Sequence, residues 1–293
     1  MLNPISFSIP QVKFANDSAK LNKIHYLSPL IPNVPSTYIY NTEHEYYTQY
    51  QQSYFALTFK KAGWDCLRHY EIIANYCIPL FPNIENCPIN TMTHYPKNLS
   101  IRANELFFKF YNKPLSEGFH NSYKSLLTEF VDYAKTYLTT TAMANYLVCS
   151  ICSKPKSILY LSGNLDVDYL RCLTLHGLKT IYGTMCHDYP KIKHLYTDFD
   201  NSYPLYGKGF TYSKLLTPDT HSYEYDKDIP YLIQTHFFDI VIYGSYHRGL
   251  PFIDLVTQVY TPDKIVFMCG EDLHSKCYDK LIANGHNVFI REL

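Results

Sequence analysis

Four short apolar runs are spaced along the second half of the chain: SILYLS at 157–162, FDIVIY at 238–243, KIVFM at 264–268 and HNVFI at 286–290. None alternates apolar with polar residues, so they read as strands buried on both faces of a parallel sheet rather than strands with one wet face. Between them, DYLRCLTLHGL at 168–178 sets Leu170, Leu173, Leu175 and Leu178 at roughly helical spacing, and PFIDLVTQVY at 251–260 supplies a second helix. Strands separated by helices predict a doubly wound, Rossmann-like layer, whose ligands lie beyond the carboxyl ends of the strands.

The first half is less regular. Pro10, Pro29, Pro32 and Pro35 punctuate its opening, and a polar, tyrosine-rich helical run spans 43–54. A strand at 55–59 runs into Lys60 and Lys61, a helix at 64–75 follows with Asp65 as a plausible N-cap, and an apolar strand comes at 77–81. Helical patterns return after Lys97, at 122–134 and at 139–148. The stretch 150–157, ending Lys-Pro-Lys-Ser, is the most linker-like segment, which divides the 293 residues into expected domains of 1–150 and 151–293.

Composition narrows the function classes. The 26 Lys+Arg balance the 26 Asp+Glu, so no global charge draws the chain to nucleic acid. No apolar run approaches the roughly 18 residues of a membrane span. The opening MLNPISFSIPQVKF has no basic region leading into a continuous apolar one, so the expected compartment is the cytoplasm. Nine cysteines, an odd and scattered set, fit reduced thiols. Cys149 and Cys152 form a lone CxxC, weak ground for zinc or redox chemistry.

The segment KKAGWDCLRHYEIIANYCIPLFPNIENCP at 60–88 carries the most chemistry. Its lysines precede a helix on which Arg68 and Glu71, three residues apart, share a face. A loop leading into a helix N-terminus can bind a diphosphate, with Lys61 or Arg68 adding charge-assisted bonds and Glu71 accepting hydroxyl hydrogens of a ribose or sugar. On spacing alone, an Arg68–Glu71 ion pair on a solvated face is the favoured reading. In the second half, Gly244, Ser245, His247 and Arg248 follow one predicted strand, while Gly270, Glu271, Asp272 and His274 follow another. His247 or Asp272 is a candidate general base for an acceptor hydroxyl; helix capping by Asp272 or Glu271 and a merely exposed His247 are the bland alternatives.

The run at 60–88 resembles the donor-binding half of a group of GT-B glycosyltransferases of bacteria and giant viruses, related at a distance to exostosin-like enzymes, and the similarity extends from residue 3 to about 148. DYLRCLTLHGLK at 168–179, LYGKGFTY at 205–212, FDIVIYGSYHR at 238–248, CGEDLH at 269–274 and IREL at 290–293 resemble the other half of that group, which ordinarily comes first. The order here is that of a circular permutation, with IREL ordinarily running into the segment near Met1. The resemblance implies two Rossmann-like domains facing a cleft, transfer of a sugar from a nucleotide-sugar to a glycan, protein or lipid acceptor, Lys61 and Arg68 on the diphosphate and Glu71 on ribose or sugar hydroxyls. It implies no metal and no cofactor beyond the donor, because fixed cations and a helix dipole neutralise the leaving group, and it places the enzyme in the cytoplasm of a bacterium or a virus-infected host. Two other classes remain open: a non-catalytic glycan- or nucleotide-sugar-binding protein that retains the fold, and a methyltransferase resting on SILYLSG with Asp166 and Asp168, which lacks a GxGxG loop.

Overall fold

A computed structural model describes residues 1–16, 22–151, 154–200, 204–272 and 277–293. In chain order its strands are β1 (Leu2–Pro4), β2 (His25–Leu27), β3 (Ser53–Leu57), β4 (Ile78–Leu80), β5 (Ile158–Leu161), β6 (Cys186–Tyr189), β7 (Ile240–Tyr243), β8 (Ile265–Cys269) and β9 (Asn287–Ile290). Its helices are α1 (Glu43–Gln51), α2 (Leu67–Ala74), α3 (Lys97–Phe110), α4 (Glu117–Tyr137), α5 (Thr140–Ser150), α6 (Tyr169–Tyr182), α7 (Ile229–Gln234), α8 (Ile253–Val259) and α9 (Cys277–Ala283). None is long and apolar enough to cross a membrane.

The strands form two sheets, both parallel. One has six strands in the order β1-β9-β8-β7-β5-β6, the other three in the order β2-β3-β4. Within the second half, β6-β5-β7-β8-β9 is the 2-1-3-4-5 order of a doubly wound layer. The α/β architecture expected from the strand–helix alternation is therefore present, with sheets compatible with Rossmann-like units. Every residue of β5, β7, β8 and β9 is buried, which is why their sequences are apolar without alternation.

The chain crosses from the small sheet to the large one near residue 150, with one exception. Residues 2–4 join the large sheet, Leu2 opposite Val288 and Pro4 opposite Ile290. Pro4 is tolerated because β1 is an edge strand. Since β1 and β9 run parallel, Met1 lies level with the start of β9, where its carbonyl accepts from Val288 N–H at 2.8 Å, whereas Leu293 lies past the other end, its carbonyl accepting from Thr91 Oγ1 at 2.6 Å.

One apolar cluster runs through both halves, from Phe55 and Phe119 by way of Leu147 to Leu173, Ile242 and Phe289, and a separate one covers the other face of the large sheet at Leu159, Val241 and Phe267. The centre of the first is α6, in which every residue from Leu170 to Lys179 is buried. Asp168 caps this helix by accepting from Arg171 N–H at 3.0 Å. The helix packs against α5 at Gly177, where a Cβ would fall 2.1 Å from the Thr140 carbonyl oxygen, so no other residue permits that approach. Of the linker-like stretch 150–157, Lys154 and Lys156 are exposed, but Ile151, Pro155 and Ser157 are buried and residues 152–153, with Cys152 of the CxxC, lie outside the described residues.

Candidate functional site

A cleft of about 990 Å³ opens where the carboxyl ends of the strands meet the first half of the chain. Phe7 comes to it from beyond β1, Lys61 and Gly63 from beyond β3, Asp168 from beyond β5, Arg248 from beyond β7, Gly270, Glu271 and Asp272 from beyond β8, and Arg291 from beyond β9. Helix α2 contributes Leu67, Arg68 and Glu71, and the loop at 205–212 contributes Tyr206, Gly207, Lys208 and Phe210. Four of the five predicted site residues, Lys61, Arg68, Glu71 and Asp272, thus share one cavity.

His247 does not line it. The tight turn Tyr246–Arg248 sends successive side chains in different directions: Arg248 faces the cleft, where its Nε lies 3.3 Å from Asp168 Oδ2, while His247 is exposed and its Nε2 sits 2.8 Å from the Tyr278 hydroxyl. Asp272 is in the cleft but paired, accepting from Arg291 Nη2. Glu271 beside it is exposed. His274 lies outside the described residues.

The Arg68–Glu71 pair expected from helical spacing does not form. Glu71 is 6% exposed, and its carboxylate accepts from the Tyr46 hydroxyl at 2.8 Å on one oxygen and from the Thr211 hydroxyl at 2.5 Å on the other. The hydroxyls of Tyr50 and Tyr47 complete the relay, 2.9 Å from Tyr46 and 2.6 Å from Thr211. Burial raises the Glu71 pKa, and the two hydroxyl donors oppose that rise.

Arg68 is left without these partners. Its Nε and Nη1 are shielded from water yet find no hydrogen bond among the described residues, and the same holds for the Tyr38 hydroxyl. The guanidinium stands 5.8 Å from the Tyr38 ring centroid. Nearby Lys61 has its pKa lowered by partial burial and by Arg68. Two guanidinium nitrogens shielded from water without a hydrogen bond are costly, and here the cost is incurred at the wall of a cavity.

Asp65 does not cap α2. The cap position is Cys66, with no side-chain bond, while Asp65 is turned inward and accepts from Phe7 N–H at 2.6 Å and the Tyr70 hydroxyl at 2.8 Å. Burial lifts its pKa to about 6 against the pull of Arg291. The amides of Trp64 and Asp65 donate instead to Glu292, at 3.1 and 2.9 Å. Glu292 comes so close to Gly63 that a Cβ there would lie 2.5 Å from its Oε1. Arg291 ties the assembly together. It donates to the Asp65 carbonyl at 2.6 Å, to Glu292 at 2.8 Å, to the Gly270 carbonyl at 2.9 Å and to Asp272, and its guanidinium lies 4.6 Å from the centroid of Phe7.

The loop at 205–212 is a strap between the two halves. Lys208 Nζ donates to the Tyr40 carbonyl at 2.5 Å and to Asn41 Oδ1 at 2.8 Å, Phe210 stacks on Tyr46 at 5.7 Å, and Thr211 N–H donates to Glu43 at 2.9 Å. Lys208 and Thr211 hold φ of 58° and 72°. For a β-branched residue such as Thr211 that conformation costs about 1–3 kcal/mol and persists only where its contacts over-determine it.

No protein-family model, curated protein or solved structure matches the chain. The geometry of the cleft therefore carries the functional reading.

Proposed function

We propose that the protein is a glycosyltransferase of GT-B type that binds a nucleotide-sugar in this cleft, with its halves in circularly permuted order. The observation that carries the reading is Arg68: a half-buried guanidinium whose Nε and Nη1 are shielded from water and unpartnered among the described residues, beside Lys61 at the opening of a parallel-sheet cleft. A diphosphate supplies the acceptors that Nε and Nη1 lack. Tyr206, 70% exposed at the rim, offers a flat face for a nucleobase. Glu71 then acts indirectly, fixing the strap that carries Tyr206, because its oxygens already accept protein hydroxyls.

In an inverting transfer the acceptor oxygen attacks the anomeric carbon, the bond from that carbon to the diphosphate oxygen breaks, and the acceptor proton passes to a base. Glu271 suits that task better than Asp272, which is engaged by Arg291. The adjacency of β1 and β9 supports the permuted order, although a direct join from Leu293 to Met1 would have to run back along β9. A non-catalytic nucleotide-sugar-binding protein is the second reading, favoured by the engagement of Asp272 with Arg291 and of His247 with Tyr278. Of the two acidic residues behind the methyltransferase reading, Asp168 is occupied in capping α6 and pairing with Arg248, and Asp166 is exposed and does not line the cleft.

Calorimetric titration with UDP, GDP and their sugar conjugates tests the proposal. Binding that weakens in Arg68→Ala and release of the free sugar or a glycosylated product by the wild type are expected. Binding without turnover selects the second reading, and no binding of any nucleoside diphosphate overturns both.

A further inference from the structure

Away from the cleft, at the β6 edge of the large sheet, polar side chains converge beneath the loop at 218–226. His187 is fully buried on β6, His221 is 5% exposed, and Asp226 is partly open to solvent. The two imidazole rings stack with centroids 4.8 Å apart. His187 Nε2 lies 2.9 Å from Asp226 Oδ1 and His221 Nε2 lies 3.0 Å from Asp226 Oδ2, and one ligand atom from each of the three residues falls within 4.8 Å of the others. None of the three lines the cleft.

The other ring nitrogen of His221 is held from behind. Its Nδ1 is 3.0 Å from Asp188 Oδ1, and Asp188 is itself fixed by Lys179 Nζ at 3.0 Å, the Tyr196 hydroxyl at 2.6 Å and the Ile192 N–H at 3.0 Å. This is the carboxylate–histidine arrangement that orients an imidazole toward a metal and sets its tautomer. A divalent cation at His221 Nε2 leaves the Nδ1 contact with Asp188 intact.

We propose that His187, His221 and Asp226 bind a zinc-class divalent ion that pins the loop at 218–226 to β6. The metal class follows from the ligands, since two imidazoles and one carboxylate suit zinc and its neighbours, whereas magnesium and calcium take all-oxygen shells. Four-coordinate zinc with bonds of about 2.0–2.2 Å needs ligand atoms roughly 3.3 Å apart, so the three atoms, now within 4.8 Å of one another, draw together when the ion binds. Its fourth position is left to water on the solvent side of Asp226. The expectation of no metal belonged to the sugar-transfer reaction in the cleft, and this site is independent of it.

The test is to strip the full chain with a chelator and titrate it with Co²⁺ and Zn²⁺. One equivalent of Co²⁺ should give the visible absorption of a tetrahedral site, Zn²⁺ should displace it and raise the melting temperature, and Mg²⁺ should do neither. Asp226→Asn, partly exposed and close in shape, should weaken Co²⁺ affinity by about tenfold or more, and Asp188→Asn by about 10–100-fold through the imidazole it orients. His187→Gln, made as a second ligand variant in case Asp226→Asn misfolds, should abolish the tetrahedral band. Absence of a tetrahedral Co²⁺ band in the wild type, or a band of undiminished affinity in folded Asp226→Asn or His187→Gln, overturns the proposal.

Discussion

Arg68 and Arg291 reach the same cleft from opposite halves of the chain, and they are solvated by the protein in opposite ways. Arg291, 1% exposed, donates to two carbonyls and two carboxylates and stacks on an aromatic ring, so its desolvation is offset within the fold. Arg68 has Nε and Nη1 dry and without a partner among the described residues. The difference separates a cation that holds the protein together from one that is kept for something else, since a buried unpaired polar group costs about 1–3 kcal/mol and more when charged.

The largest effect that would test this contrast is on stability. Arg291→Met should cost about 3–5 kcal/mol in urea unfolding, because it strands Glu292 and Asp65 in a dry setting without their cation. Arg68→Met should leave the midpoint unchanged or raise it. Equal losses in the two variants would erase the distinction.

Acid should act next. His69 is buried between Thr58 and the Trp64 carbonyl, and desolvation lowers its pKa to about 3, while His176 is lowered to about 4 for the same reason. Between the unperturbed value of about 6.5 and those folded values the unfolded chain binds more protons, so stability falls as pH drops through that window, by up to about 5 kcal/mol for His69 and about 3 kcal/mol for His176. Asp65 works the other way. Its folded pKa of about 6 exceeds the unfolded value, so its contribution is complete below about 4 and lost as pH rises through 6. Asp65→Asn removes that offset, and its unfolding midpoint between pH 6 and 4 should fall more steeply than the wild type's. A parallel profile would show that Asp65 does not titrate beside Arg291 as described.

A smaller loss, about 1–3 kcal/mol, is expected for Glu71→Gln, whose amide nitrogen cannot accept the hydroxyl that one carboxylate oxygen now receives. Limited proteolysis should then cut near 205–212 faster than in the wild type. An unchanged cutting rate would mean that the strap is held by Lys208 and Phe210 alone. The least effect on folding and the greatest on binding belongs to Arg68→Ala, which should weaken nucleoside diphosphate binding and flatten its salt dependence.

The sequence reading succeeded where strands are buried and apolar, and it missed three of the four edge strands. β5, β7, β8 and β9 are buried on both faces and advertise themselves as apolar runs, whereas β1 contains Pro4, β2 is only half-buried and β6 carries His187 and Asp188, so none of these three has that signature. Arg68 and Glu71 were legible as cleft residues from their helix face and from the family resemblance. Their separation was not, because the partners that draw Glu71 away are Tyr46, 25 positions before it, and Thr211, 140 positions after it. His247 was misjudged because a tight turn reverses which neighbouring residue faces the cavity. The part played by Arg291 and Glu292 in ordering the start of α2 had no local signal at all, since the groups they bind lie more than 220 positions earlier.

The pairing of β1 with β9 also sets an order of events in folding. Leu2 emerges from the ribosome long before Val288, the residue it faces, and closing a loop of that length costs on the order of 5 kcal/mol of chain entropy before any ladder bond repays it. Until β9 is in place, the flank of β8 that will receive it is an open row of amides and carbonyls, and β1 has no sheet to join. The chain must therefore wait for its last strand with a sticky sheet edge exposed, a condition that slows folding and invites association with other nascent chains.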